Sequence, residues 1–184
     1  MNTAPLEQEQ EHLADLLEAI ERCVYFLHAT DQRLHWPLSG MNLQENRKDT
    51  ALFESLSAIN ERFAKLQDTL GAAMRHAALL SAEPAETFLK VLSFFEKLGV
   101  LESVAGWHIC RATRNLAAHQ YETDYGMIAE HFNTLHALIP GLYGAAARFV
   151  AYCRGTLRIT PAQDDFAEDF ASIVFAEGSM RFVP

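Results

Sequence analysis

Leu13, Leu16, Leu17, Ile20, Val24 and Leu27 recur at spacings of three and four, and a second series, Leu52, Leu56, Ile59, Phe63, Leu66, Leu70 and Met74, extends the pattern over a longer stretch. Such spacing places the members of each series along one stripe of a helix. No segment alternates apolar and polar residues with the period of two that a half-buried strand requires, so the pattern predicts an all-α fold. With 184 residues, 49% of them hydrophobic, the chain can close one well-buried core.

The first stripe predicts a helix from about Leu6 to Ala29. The segment from Asp31 to Lys48 mixes Pro37, Gly40, Asn42 and Asn46 with little periodicity and reads as an unusually long loop. Asp49 or Thr50 caps a second helix reaching about Leu80. A third starts at Pro84 or Ala85, carries Phe88, Val91, Leu92, Phe95 and Leu98, and ends at Gly99. The fourth spans Ser103 to about Tyr121 with Trp107, Cys110, Leu116 and Ala117 toward the core. The fifth runs from Met127 through Phe132, Leu135, Ile139, Leu142, Phe149 and Tyr152, where the pair Pro140 and Gly141 is expected to kink or split it. A short acidic helix follows between Pro161 and Phe175. The expected organisation is therefore a five-helix bundle over residues 1–160, with an extended N-terminal half, and an acidic C-terminal tail over 161–184.

Charge narrows the partners. Fifteen Lys and Arg against 24 Asp and Glu give a net charge of -9, which disfavours indiscriminate adhesion to nucleic acid or an anionic membrane. Residues 101–160 depart from that balance, with five arginines (Arg111, Arg114, Arg148, Arg154, Arg158) against four acids (Glu102, Glu122, Asp124, Glu130). Cys23, Cys110 and Cys153 are odd in number and lack C-x-x-C spacing, so neither a disulfide framework nor a thiolate zinc site is indicated. The acidic N-terminus has no apolar signal core, and no apolar run reaches the roughly 20 residues of a membrane span. A cytoplasmic location without membrane association is expected.

The run from Arg114 to Tyr121 spells R-N-x-x-x-H-x-Y. Arginine offers a fixed cationic fork for phosphate, histidine exchanges a proton near neutral pH, and tyrosine contributes a hydroxyl. Cleavage of RNA needs a base for the 2′-hydroxyl, an acid for the departing 5′-oxygen and donors for the charged phosphorane, and these residue types supply them without a metal. Asn115 cannot exchange protons usefully at neutral pH and is assigned a supporting role. Arg114 and His119 are five residues apart, about 140 degrees around an ideal helix, so one straight helix does not bring them onto one atom. Either the helix end distorts, or a second subunit completes the site, which a twofold dimer does by setting the arginine of one copy against the histidine of the other.

This run, with Trp107 upstream and L-I-P-G-L in the following helix, resembles the HEPN superfamily, specifically the HepT-like toxins paired with MNT nucleotidyltransferase antitoxins; the similarity is clearest from about Trp107 to Tyr152. The resemblance implies a HEPN-like helical bundle forming a homodimer. It implies a metal-independent endoribonuclease acting on tRNA or mRNA, with Arg114 and His119 as the catalytic pair and no cofactor. It also implies a cognate antitoxin able to transfer AMP onto the motif tyrosine, Tyr121.

Competing readings remain open for several residues. A noncatalytic helical dimer, serving as scaffold or nucleotidyltransferase-binding partner, fits the net acidity and the extended N-terminal half. Arg111 and Asp124 are candidates for phosphate binding and for a hydrogen bond near the motif, or are ordinary surface groups. A di-iron bundle needs two E-x-x-H units and two further inward glutamates; Glu9 and His12 form one unit, and Glu130, His131 and His136 do not complete a second, so no metal centre is expected.

Overall fold

The computed structural model describes residues 4–116 and 124–179. Over these residues the chain forms seven α-helices: α1 (Ala4–Asp31), α2 (Gly40–Glu45), α3 (Thr50–Leu80), α4 (Phe88–Lys97), α5 (Val104–Leu116), α6 (Tyr125–Tyr152) and α7 (Ala167–Ser179), with a π-helical turn at Cys153–Leu157. Among the described residues there is no strand, and no helix is long and apolar enough to cross a membrane.

The two stripes read from the sequence are the centre of the molecule. Leu13, Leu17, Ile20, Val24 and Leu27 of α1 and Leu56, Ile59, Phe63, Leu66 and Leu70 of α3 are fully or almost fully buried, joined by Phe132, Leu135, Ile139 and Phe149 of α6. Each such side chain contributes about 1.5–3 kcal/mol relative to exposure. α4 closes one end, where Phe95 meets Phe149 and Tyr152 edge to face at 5.4 and 5.6 Å. Phe170 and Ile173 of α7 are buried in the same core, so the C-terminal segment packs on α1 and α6.

The caps follow from local chemistry. Asp49 Oδ1 accepts the Leu52 N–H at 3.1 Å to start α3, and Asp124 Oδ1 accepts from Gly126 and Met127 at 2.9 and 3.2 Å to start α6. Asp124 is thus a helix cap. α4 starts later than Pro84, because the Thr87 hydroxyl accepts the Lys90 N–H and sets the first turn at Phe88. Gly99, at φ +72°, takes the left-handed turn after α4.

The expected long loop is an ordered strap against α6. Asn133 donates from Nδ2 to the Leu38 carbonyl at 2.9 Å and accepts the Leu38 N–H on Oδ1 at 2.8 Å. The Trp36 ring stacks on His136 at 4.2 Å, and His136 Nδ1 donates to Oδ1 of the buried Asp31 at 2.7 Å. α2 then begins at Gly40, whose backbone lies so near that of Gly126 that a Cβ at position 40 would come within 2.8 Å of the Gly126 Cα.

Three further expectations are corrected. Pro140 does not divide α6, which is continuous over Tyr125–Tyr152; the missing N–H costs one helical bond, and flanking burial of Ile139, Leu142 and Tyr143 outweighs it. Leu116 does not face the core and is 51% exposed. It lies nine residues beyond the buried Trp107, about 180 degrees around at about 100 degrees per residue. The last helix spans Ala167–Ser179 rather than 161–175. Ala117 and the expected continuation of the fourth helix to Tyr121 lie outside the described residues.

A second buried carboxylate, besides Asp31, stands in the core wall. Glu21 of α1 is 1% exposed with Oε2 lacking a hydrogen-bond partner, and burial raises its pKa while the Arg154 charge opposes the shift. A carboxyl whose folded pKa exceeds its unfolded one leaves stability intact at low pH and erodes it as pH rises through that interval. Glu21→Gln should therefore melt higher than wild type at pH 8, the difference closing as pH falls to about 4; an equal or lower Tm at pH 8 contradicts this. In the strap, Gly40→Ala and Asn133→Ala should each cost about 1–3 kcal/mol in denaturant titrations, the first by forcing two backbones apart and the second by stranding two backbone groups. Losses under about 0.5 kcal/mol, the range of ordinary surface substitutions, contradict the strap as described.

Candidate functional site

The burial face of α5 is set by Trp107. Arg114 lies seven residues on and Arg111 four, so both guanidiniums fall on the side turned to α3, within about 40 degrees of the tryptophan. α3 meets α5 closely because Gly71 has no side chain: a Cβ there would sit 3.2 Å from Phe88 Cζ and 3.3 Å from Trp107 Cζ2. Gln67 Nε2 donates to the Trp107 carbonyl at 2.9 Å and fixes the register of the pair.

Arg114 is held in this contact. One terminal nitrogen donates to the Ala64 carbonyl at 2.8 Å and the other to Asp68 Oδ1 at 2.7 Å, with 11% of the side chain exposed. Its Nε is buried and has no hydrogen-bond partner. The carboxylate of Asp68 is 66% exposed, so the pair sits at the edge of the interior and not in a sealed pocket. A carboxylate on a guanidinium fork occupies the place that a phosphate oxygen would take.

That edge is the rim of a groove of about 410 Å³ between α1, α3 and α5, lined among others by Arg75, Arg111 and Arg114 and by the imidazoles of His12 and His76. Among the described residues Asp68 is the one acidic side chain lining it, and the Glu9 carboxylate stands behind the lining His76, 3.1 Å from its Nε2, on a chain of net charge -9. Arg75 lies over the Phe88 ring, its guanidinium carbon 5.3 Å from the centroid. His76 Nε2 donates to the Glu9 carbonyl at 2.8 Å, which a carbonyl can only accept, and His12 meets the His76 ring edge-on at 4.9 Å.

The remaining expected residues divide plainly. Asn115 is exposed on α5, on a different side from Arg114. His119 and Tyr121 lie outside the described residues. Arg148 is tied down by its Nε bond to the Val100 carbonyl at 2.9 Å. Among the described residues no group of three or more His, Cys, Asp or Glu side chains is arranged to hold a metal ion. Glu9 and His12, the single E-x-x-H unit, border the arginine groove instead. Burial pushes the thiols of Cys23 and Cys110 up, and that of Cys153 up to about 12, so these are packing groups and not activated nucleophiles.

Sequence reading missed Arg75, His76 and the convergence of His12 with them. The signal was present: Asp68 and Arg75 are seven apart on α3, and the small residues Gly71 and Ala72 between them open the second stripe where another element can approach. Comparison with family models, with curated proteins and with solved structures returned no match.

Proposed function

We propose that this chain is a metal-independent endoribonuclease with a HEPN-like bundle, of the HepT-like toxin type, with Arg114 and His119 as its catalytic pair. The observation that carries the reading is the cationic groove. Arg114, the first residue of the R-N-x-x-x-H-x-Y run, is presented there beside Arg111 and Arg75, on a protein whose overall charge would otherwise repel RNA.

In this reading Arg114 stabilises the phosphorane. Its bond to Ala64 orients the fork, and the exposed Asp68 carboxylate yields to a phosphate oxygen. His119 removes the 2′-hydroxyl proton, the 2′-oxygen attacks phosphorus, and the P–O5′ bond breaks as the imidazolium so formed returns its proton to the leaving oxygen, giving a cyclic phosphate and a free 5′-hydroxyl. A second copy supplies the histidine facing each arginine. Asn115, exposed on α5, has a supporting role, and a nucleotidyltransferase antitoxin silences the enzyme by placing AMP on Tyr121. tRNA and mRNA are the candidate substrates.

The engagement of Arg114 by Asp68 and Ala64 favours a second reading, a noncatalytic helical dimer that serves as scaffold or nucleotidyltransferase-binding partner with Arg114 as an internal tie. The two separate in one assay. In buffer containing EDTA the catalytic reading expects wild-type protein to cleave RNA, and His119→Ala and Arg114→Ala to lose about 100-fold or more of the rate. Equal rates in all three proteins, or none in wild type, support the scaffold. Incubation with ATP and the antitoxin should add the mass of one adenylyl group to wild type and none to Tyr121→Phe; modification of both proteins alike removes Tyr121 from the account.

A further inference from the structure

Arg75 and Arg111 stand out once the Arg114 pair is set aside. Neither has a carboxylate partner among the described residues, although both are exposed in the concavity that holds the Asp68–Arg114 pair. Converging like charges in one groove destabilise a fold by mutual repulsion; Arg75 rests on the face of Phe88, and Arg111 makes no hydrogen bond among the described residues. The volume of about 410 Å³ falls within the roughly 300–1,000 Å³ typical of small-ligand sites, enough for one nucleotide unit.

Two features pre-set the groove for an anion. The Phe88 ring lies under the Arg75 guanidinium and keeps it in place, limiting the entropy lost on binding. His76 is fixed by Glu9, whose carbonyl accepts from Nε2 at 2.8 Å and whose carboxylate lies 3.1 Å from the same nitrogen, and it meets the His12 ring at the wall opposite α5, leaving His76 Nδ1 and the His12 ring as the polar groups of that side. We propose that Arg75 and Arg111, with His12 and His76 opposite, form a binding subsite for a phosphate of single-stranded RNA other than the one that is cleaved. The proposal rests on the ribonuclease reading and extends it. The substrate is then a strand laid across α3 and α5, and a dinucleotide, whose single phosphate sits on Arg114 and leaves Arg75 and Arg111 without one, is a poor substrate.

The probe is a single-stranded oligonucleotide bearing 2′-O-methyl groups, which cannot supply the attacking hydroxyl. Its affinity is measured against salt for wild type, Arg75→Gln, Arg111→Gln and His119→Ala. Each arginine variant should bind about tenfold more weakly, with a log–log salt slope shallower by about 0.7 for the lost phosphate contact. Both should keep or exceed the wild-type Tm, since they relieve repulsion. His119→Ala should bind the probe like wild type while failing to cleave unmodified RNA. Wild-type affinity and salt slope in both arginine variants, or no binding of the probe by wild type, overturns the subsite. Cleavage of unmodified RNA by His119→Ala at the wild-type rate defeats the catalytic assignment instead and leaves the subsite to be judged on the binding data alone.

Discussion

Three helices of about 30 residues cannot leave an apolar stripe in water along their whole length, and the burial of α1, α3 and α6 on one another is the constraint from which the rest of the structure follows. Their seam fixes which faces remain for the shorter elements. α4 covers one end through Phe95, and α7 adds Phe170 and Ile173 along α1 and α6. α5 lies on α3 at the one place where Gly71 lowers the wall enough for Phe88 and Trp107 to enter. Because α5 is docked through Trp107, its arginines at the same angular position are carried into contact with α3 whether or not they are needed for packing.

The electrostatics of that contact set it apart from ordinary surface pairing. Exposed ion pairs contribute about 0–1 kcal/mol and rarely organise a structure. Arg114 instead has most of its side chain covered and is bonded by both a carbonyl and a carboxylate, while its neighbours Arg75 and Arg111 have no acidic partner among the described residues. An acidic protein that gathers uncompensated guanidiniums in one concavity carries local repulsion with no structural return, the pattern expected of a surface shaped for an anionic ligand.

Much of this was legible in the sequence, and the limits have physical causes. α1 and α3 span many turns, so their periodicity outweighs local exceptions, and Asp49 marked the start of α3 by its cap chemistry. The six residues of α2 are too few to show a period, and the strap around them is ordered by Asn133 and His136, about a hundred positions away in sequence, which no local pattern reveals. Of the kink or split expected at Pro140 the split is absent, because a proline costs one bond while the tertiary burial around it supplies several apolar contacts. Leu116 was placed inward on residue type alone, against its own angular position. Of the site, Arg114 was visible through its motif, whereas Arg75 and His76 belong to a helix whose polar face looked like solvated surface until α5 was laid beside it. The motif residues His119 and Tyr121 rest on the sequence alone.

The claim on which the functional account turns is that arginine and histidine act together across two copies of the chain. Mixing Arg114→Ala with His119→Ala protein under conditions that allow subunit exchange tests it directly, since each parent lacks one half of every site. A heterodimer restores one complete site, and the mixture should recover about a quarter of wild-type RNA cleavage, because half the dimers are mixed and each has one of two sites intact. A mixture no more active than either parent contradicts a site shared between subunits.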